Sequence, residues 1–188
     1  MIGLWDVVVR PAVADDADAL GLLHIDVWED AYSDLMPAGV FQERRASIPE
    51  LIGLWRQRLA HPPGRTTVAE YAGGLVGFIS VGPPQADDVD VDEELYALYV
   101  RASWWGSGLG ASLLTSALAQ RPAYLWVLGG NDRSIAFYGK HGFVEDGVTR
   151  AGQYGTELRM TRGTAAVPPA TTGTANRTLN PKSGHVEN

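Results

Sequence analysis

Two periods of apolar and polar positions run through this chain. Apolar runs with a period near two predict strands at Trp5 to Arg10, Thr66 to Tyr71, Leu75 to Val81 and Leu95 to Val100. The same signal marks Ala123 to Leu128, Phe143 to Thr149 and Tyr154 to Thr161. Helical spacing links Leu20, Leu23 and Val27; Leu51, Leu54, Trp55 and Leu59; and Leu109, Leu113, Leu114 and Leu118. Local punctuation supports these boundaries. Pro11 ends the first strand, Asp15 or Asp16 is placed to cap the first helix, and Ser47-Ile48-Pro49-Glu50 fits a capping box. His61 to Gly64 breaks the second helix, and Gly73-Gly74 reads as a hairpin turn. Antiparallel strands in mid-chain weigh against a doubly wound sheet and favour an α+β layout.

The stretch from Glu94 to Leu118 carries the most chemistry. It reads as strand, then a turn holding Gly106, Gly108 and Gly110, then helix. Glycines there let backbone N–H groups approach a ligand closely, and the helix start adds unpaired donors and the positive end of its dipole. Such a turn suits phosphate or pyrophosphate. No Gly-Lys-Ser/Thr follows, so it is not a phosphate-binding loop of the nucleotide-hydrolase type. The dinucleotide spacing of three glycines is also absent.

Composition narrows the classes further. The length of 188 residues fits one domain, here 1–162, followed by a low-complexity tail at 163–188 rich in Thr, Ala, Pro, Gly and Asn. A net charge of −7 argues against nucleic acid or an anionic membrane as partner. There is no cysteine, hence neither a disulfide framework nor a thiolate nucleophile. The first apolar run is short and interrupted by Asp6 and Arg10, unlike a signal peptide, and no segment has the length of a membrane span. A soluble cytoplasmic protein is the expectation. His24, His61, His141 and His185 lack metal-ligand spacing, so no metal is expected. The acidic loop Gly82 to Asp92 lacks the glycine and glutamate spacing of a calcium loop and reads as solvated.

Two segments resemble the GCN5-related N-acetyltransferases (the GNAT family). The first is Leu98-Tyr99-Val100, then Arg101 to Trp104, then Trp105-Gly106-Ser107-Gly108-Leu109-Gly110, similar to the family's acetyl-CoA signature; Trp105 stands where that signature has Gln or Arg. The second is Asn131 to Phe143, where Asn131, Ala136, Phe137, Tyr138, Lys140, Gly142 and Phe143 match a family pattern and Ser134 lies near its small position. The start, Val9-Arg10-Pro11-Ala12 before an Asp-capped helix, is also similar. So is Trp28, Tyr32, Leu35 and Pro37, a segment that in the family lines the acceptor side. A plain packing contact between Trp28 and Tyr32, four residues apart on one helix, is the other reading.

The resemblance implies an α/β sandwich with a mixed central sheet of about seven strands, mostly antiparallel, and about four flanking helices. It implies an enzyme that moves an acetyl group from acetyl-CoA, as cosubstrate, to a primary amine. Pantetheine would pair with the strand at Leu98, Tyr99 and Val100, and the pyrophosphate would sit on amides from Gly106 to Ala111, a run that includes Ser107, Leu109 and Gly110. Asn131, Ser134, Phe137 and Tyr138 would flank the pantetheine arm and sulfur. Glu94 is the first candidate base, with Glu93 and Asp92 as alternatives, and Tyr138 is the candidate acid at the sulfur. Trp28, Tyr32 and Glu94 would face the acceptor. Acidic residues in 26–34 and 87–94 favour a cationic small molecule or a protein amine. The resemblance also admits a homodimer, and Trp105 admits the alternative of a non-catalytic acyl-CoA-binding regulatory module.

Overall fold

The computed structural model describes residues 4–163. The expected tail at 163–188 lies outside these residues, apart from Gly163. Among the described residues seven strands form one sheet in the order β1-β2-β3-β4-β5-β7-β6. These are β1 (Val8–Pro11), β2 (Arg65–Tyr71), β3 (Gly74–Gly82), β4 (Glu94–Val100), β5 (Ala123–Leu128), β6 (Val144–Gly152) and β7 (Gly155–Arg162). The helices are α1 (Ala17–Tyr32), α2 (Ala38–Ala46), α3 (Ile48–Ala60), α4 (Leu109–Leu118) and α5 (Asp132–Lys140). The only parallel pair among them is β4 with β5, so the sheet is mixed and mostly antiparallel, as expected.

Both sheet faces are covered. One apolar cluster joins β4 Leu95, β5 Leu125 and Val127, and the α4 leucines Leu109, Leu113, Leu114 and Leu118. The other joins α1 Leu20, Leu23 and Trp28, α3 Trp55, and sheet residues Phe78 and Tyr99. The α4 leucines recur at helical spacing, which turns one stripe onto the sheet and leaves polar positions outside.

Three local expectations differ from what is found. The first strand begins later, at Val8, after a 3₁₀ turn over Leu4–Asp6, and it includes Pro11. Proline is tolerated there because β1 is an edge strand. Neither Asp16 nor Ser47 caps its helix through the side chain. The Asp16 carboxylate accepts instead from Arg10, at 2.7 and 2.8 Å, and from the Val13 amide, at 2.7 Å. A fifth helix, α2, lies between the two expected ones. It buries Phe41 alone, so its sequence carries no apolar stripe from which a helix could be read.

One core residue is unusual. His24 of α1 is fully buried, ringed by Trp55, Phe78 and Tyr99 at centroid distances of 5.9, 5.3 and 5.5 Å. Neither ring nitrogen has a hydrogen-bond partner among the described residues. Burial, with the nearby Arg44 and Arg58 charges adding to it, lowers its pKa from 6.5 to about 3. The folded state therefore keeps His24 neutral while the unfolded chain takes up a proton below pH 6.5. Stability is lost as pH falls from that value towards 3. Denaturant unfolding should find wild type losing about 2 kcal/mol more than His24→Leu between pH 7 and pH 5. Equal losses in the two proteins would refute this assignment.

Candidate active site

The site is made by two neighbouring strands that part. β4 and β5 pair in register at Glu94–Tyr124 and Leu95–Leu125 and, among the described residues, nowhere beyond. Past that point β4 keeps β3 as its partner and β5 keeps β7, so each carries an unpaired backbone edge on the gap. A bulge sharpens the divergence. Ser80 pairs with Ala97 and Val81 with Leu95, which leaves Tyr96 as the extra residue on β4. Leu95 accordingly packs in the α4-side cluster and Ala97 in the α1-side cluster, although residues two apart in a regular strand share a face.

The bulge divides two cavities. Glu94, Tyr96 and Ala97 line one of about 310 Å³. Leu98, Tyr99 and Val100 line the other, of about 380 Å³. Trp126 of β5 lines both, so the cavities meet at its ring.

The second cavity is walled by the glycine turn and by α5. Trp105, Gly106, Gly108, Gly110 and Ala111 line it from the turn side. Gly106 and Gly108 have φ of +75° and +91°, a region that side chains rarely adopt. The first intrahelical bond of α4 runs from the Ser112 amide to the Gly108 carbonyl, at 3.0 Å. The amides of Gly110 and Ala111 precede that bond and face no helical acceptor. Ser107 and Leu109 do not line the cavity: the Ser107 hydroxyl donates to the Trp104 carbonyl at 2.7 Å, and Leu109 is fully buried in the core.

Asn131, Ser134, Phe137 and Tyr138 line the opposite wall. Asn131 caps α5, its side chain accepting from the Ser134 amide at 3.2 Å. Tyr138 is buried edge-on against Phe137 and Phe143, and burial raises its hydroxyl pKa well above the ordinary tyrosine value. One residue here carried no sequence signal. Arg133 lies over the Trp105 ring, 3.3 Å from its centroid, and lines the cavity without a carboxylate partner among the described residues. The Trp105 indole is fixed in turn, donating to the Val100 carbonyl at 2.9 Å. The pair is 28 residues apart in sequence, which is why no local pattern revealed it.

The first cavity holds Glu94 and three arginines: Arg58, Arg65 and Arg150. Glu94 is buried, and its Oε2 accepts from the Tyr124 hydroxyl and from the Gln85 amide at 2.9 Å. Both bonds fall on Oε2, so Oε1 is left to the cavity. Glu93 is also buried but faces two guanidinium groups, Arg65 at 2.9 Å and Arg121 at 3.4 Å. Asp92 is exposed.

Trp28 is 1% exposed and packs between Tyr32, Phe41 and Tyr154, with the Arg44 guanidinium 4.0 Å from its ring centroid. It lines neither cavity. Tyr32 lines the cavity of the glycine turn, its hydroxyl 3.4 Å from that of Tyr99. Asp26 pairs with Arg101 at 3.0 Å, Glu29 with Arg45, and Asp30 accepts from the Ala102 amide at 2.9 Å. These acids tie α1 to its neighbours and line neither cavity.

Among the described residues no group of three or more His, Asp or Glu could hold a metal ion, and no helix is long and apolar enough to cross a membrane.

The sheet thus opens at its one parallel pair among the described residues, with a glycine turn at the mouth of the gap. Residues 62–145 match the family model described as an acetyltransferase (GNAT) domain. An uncharacterized N-acetyltransferase of Bacillus subtilis, YuaI, is 28% identical over 138 residues, covering 70% of this chain and 77% of that protein. Among solved structures, the PaiA N-acetyltransferase of Thermoplasma acidophilum, in complex with coenzyme A, aligns with a TM-score of 0.63 at 18% identity. The alignment covers 83% of this chain and 98% of that one. A histone acetyltransferase HPA2-related acetyltransferase of Corynebacterium glutamicum aligns with a TM-score of 0.64 at 20% identity, covering 88% and 99%. Residues 62–145 thus match a GNAT acetyltransferase domain, and the fold is shared with solved GNAT acetyltransferases.

The glycine turn carries its own expectation. Replacing Gly108 by Ala forces a side chain into φ +91° and should lower stability by about 1 kcal/mol. Thermal unfolding of Gly108→Ala against wild type measures it, and an unchanged midpoint would remove the constraint.

Proposed function

We propose that this chain is an acetyl-CoA-dependent N-acetyltransferase whose acceptor is a primary amine. The observation that carries this reading is the parted β4–β5 gap, with free amides at one mouth and a fixed carboxylate at the other. The residues present suit coenzyme A. Gly106 and Gly108 keep side chains out of the turn, the Gly110 and Ala111 amides offer donors, and Arg133 offers a cation for a phosphate. The unpaired β4 edge at Leu98 to Val100 offers backbone groups to the pantetheine arm. The cosubstrate, when bound, supplies an acetyl thioester open to direct attack by an amine.

The chain's own groups then divide two proton tasks. Glu94 Oε1 is placed to accept a proton from the acceptor ammonium, while its Oε2 is held by Tyr124 and the Gln85 amide. Glu93 suits that task less, since its carboxylate is engaged by the guanidinium groups of Arg65 and Arg121. The Tyr138 hydroxyl stays protonated because burial raises its pKa, so it can give a proton to a departing thiolate. Trp105 does not favour a binding-only module. Its ring carries Arg133 to the same cavity that the Gln or Arg of the family signature would serve.

Thiol release from acetyl-CoA, measured over a panel of amines, tests the reading; coenzyme binding with no release on any amine would refute it. Tyr138→Phe should lower kcat by about 100-fold with the acetyl-CoA KM nearly unchanged, and an unchanged kcat removes the acid role. Glu94→Gln should lose the acidic limb of the pH profile of kcat/KM; a retained limb assigns the base elsewhere. Arg133→Gln and Trp105→Ala should each weaken coenzyme A binding by about 10-fold in calorimetry, with Trp105→Phe close to wild type. Wild-type affinity in Arg133→Gln would disconnect the stacked pair from the cofactor.

A further inference from the structure

The cavity on the Glu94 side has an unbalanced charge. Three arginines line it, and two are already engaged. Arg65 pairs with Glu93 at 2.9 Å. Arg150 pairs with the buried Glu157 and lies 4.2 Å from the centroid of the Trp126 ring. Arg58 differs. It rises half-buried from α3, its guanidinium 5.9 Å from the centroid of Trp55, and it has neither a carboxylate nor a hydrogen-bond partner among the described residues. A guanidinium presents five N–H donors in a fixed fork, and a half-buried one without an acceptor is costly to keep. Desolvation here already works against its charge.

Its surroundings decide what would fill that vacancy in bonding. Tyr96, the bulge residue of β4, lines the same cavity as Arg58 and Glu94. That hydroxyl is committed to the Pro83 carbonyl at 2.5 Å. Gly82 lets the ring lie there: a Cβ at that position would meet the Tyr96 ring at 2.6 Å. Thr66 and Ser80, also in the lining, share a hydrogen bond of 2.9 Å. The cavity therefore offers one free carboxylate oxygen, on Glu94, and one free cation, on Arg58, with apolar walls from Trp55 and Trp126.

We propose that the acceptor is a small primary amine that also carries an anionic group, carboxylate or phosphate, with the anion on Arg58 and the amine towards Glu94. This rests on the acetyltransferase reading of the same site. It departs from the cationic acceptor that the acidic residues at 26–34 and 87–94 suggested: Asp26, Glu29, Asp30, Asp88 and Glu93 are engaged elsewhere, and of the acids in the two stretches Glu94 alone lines a cavity. Binding uses the guanidinium fork as it stands and requires no chemistry beyond acetyl transfer to nitrogen.

The test uses the full chain and matched pairs of acceptors. The carboxylate arm compares glycine, L-alanine and L-phenylalanine with their amides. The phosphate arm compares ethanolamine phosphate with ethanolamine. Spermidine and a lysine peptide represent cationic acceptors. Wild type should favour the anionic member of at least one arm by about 10- to 100-fold in kcat/KM, mainly through KM. Arg58→Gln should erase that preference while leaving kcat on the neutral member within about twofold, and Arg58→Lys should restore part of it. Quenching of the cavity tryptophans reads binding of the same compounds without turnover. Turnover that favours spermidine, the lysine peptide or the neutral members, or an anionic preference untouched in Arg58→Gln, overturns the proposal and leaves the acetyltransferase reading intact. Binding of an anionic amine that needs Arg58, without acetyl transfer, sustains the anion site and overturns the enzyme reading. Neither binding nor transfer overturns both.

Discussion

Everything functional in this molecule depends on two parallel strands that pair for two residues and then separate. Backbone groups in a sheet must find partners. From Ala97 onward β4 has a strand partner only on its β3 side, and from Trp126 onward β5 only on its β7 side. The structure tolerates this because both strands are clamped elsewhere. Leu95, Leu125 and Val127 are locked against the α4 leucines, Ala97 and Tyr99 against α1 and α3, and β7 pairs with the whole length of β5. The gap is thus held open by packing and is not a frayed edge. The bulge at Tyr96 then directs β4 residues to different cavities, Glu94 to one and Leu98, Tyr99 and Val100 to the other.

Electrostatics sorts the charged groups around that gap. Most arginines are matched: Arg10 with Asp16 and Glu70, Arg101 with Asp26, Arg159 with Asp88 and Asp146. Such pairs fix elements to each other, and those at the surface add little stability. Arg133 over Trp105 and Arg58 near Trp55 stand apart, each leaning on an aromatic ring, each lining a cavity, and neither matched by an acid among the described residues. A guanidinium over an aromatic face loses little of its donor capacity, so it remains available to an incoming anion. The two cations lie on opposite sides of the bulge, one in each cavity.

Much of the sheet was legible because strand signals are local. Period-two runs and the glycine hairpin located the later strands to within a residue or two, apart from the end of β6, which runs on from Thr149 to Gly152. The helix α2 was not, because a helix that buries only Phe41 has no stripe to read. The glycine turn and the Asn131 cap were legible because both depend on residue type at a fixed place in the chain. The capping roles expected of Asp16 and Ser47 were not: the Asp16 carboxylate is held by Arg10 and the Val13 amide, and the Ser47 hydroxyl donates back to the Glu43 carbonyl.

The cavity that holds Glu94, Arg58 and Trp126 illustrates the remaining division. Residue types and short spacings determined by themselves that an anion-binding turn follows a strand, and that a carboxylate begins that strand. They could not show that Asp26 and Glu29 are taken up by Arg101 and Arg45, and Asp30 by the Ala102 amide. Nor could they show that Arg58 is left over, that Arg133 covers Trp105, or that a bulge turns Glu94 away from Leu98. Local conformational preference acts over a few residues, and the sequence records it directly. Which charges meet, and which remain unmet, is settled only when packing brings distant segments to within a few ångströms, where burial multiplies the cost of every unpaired group.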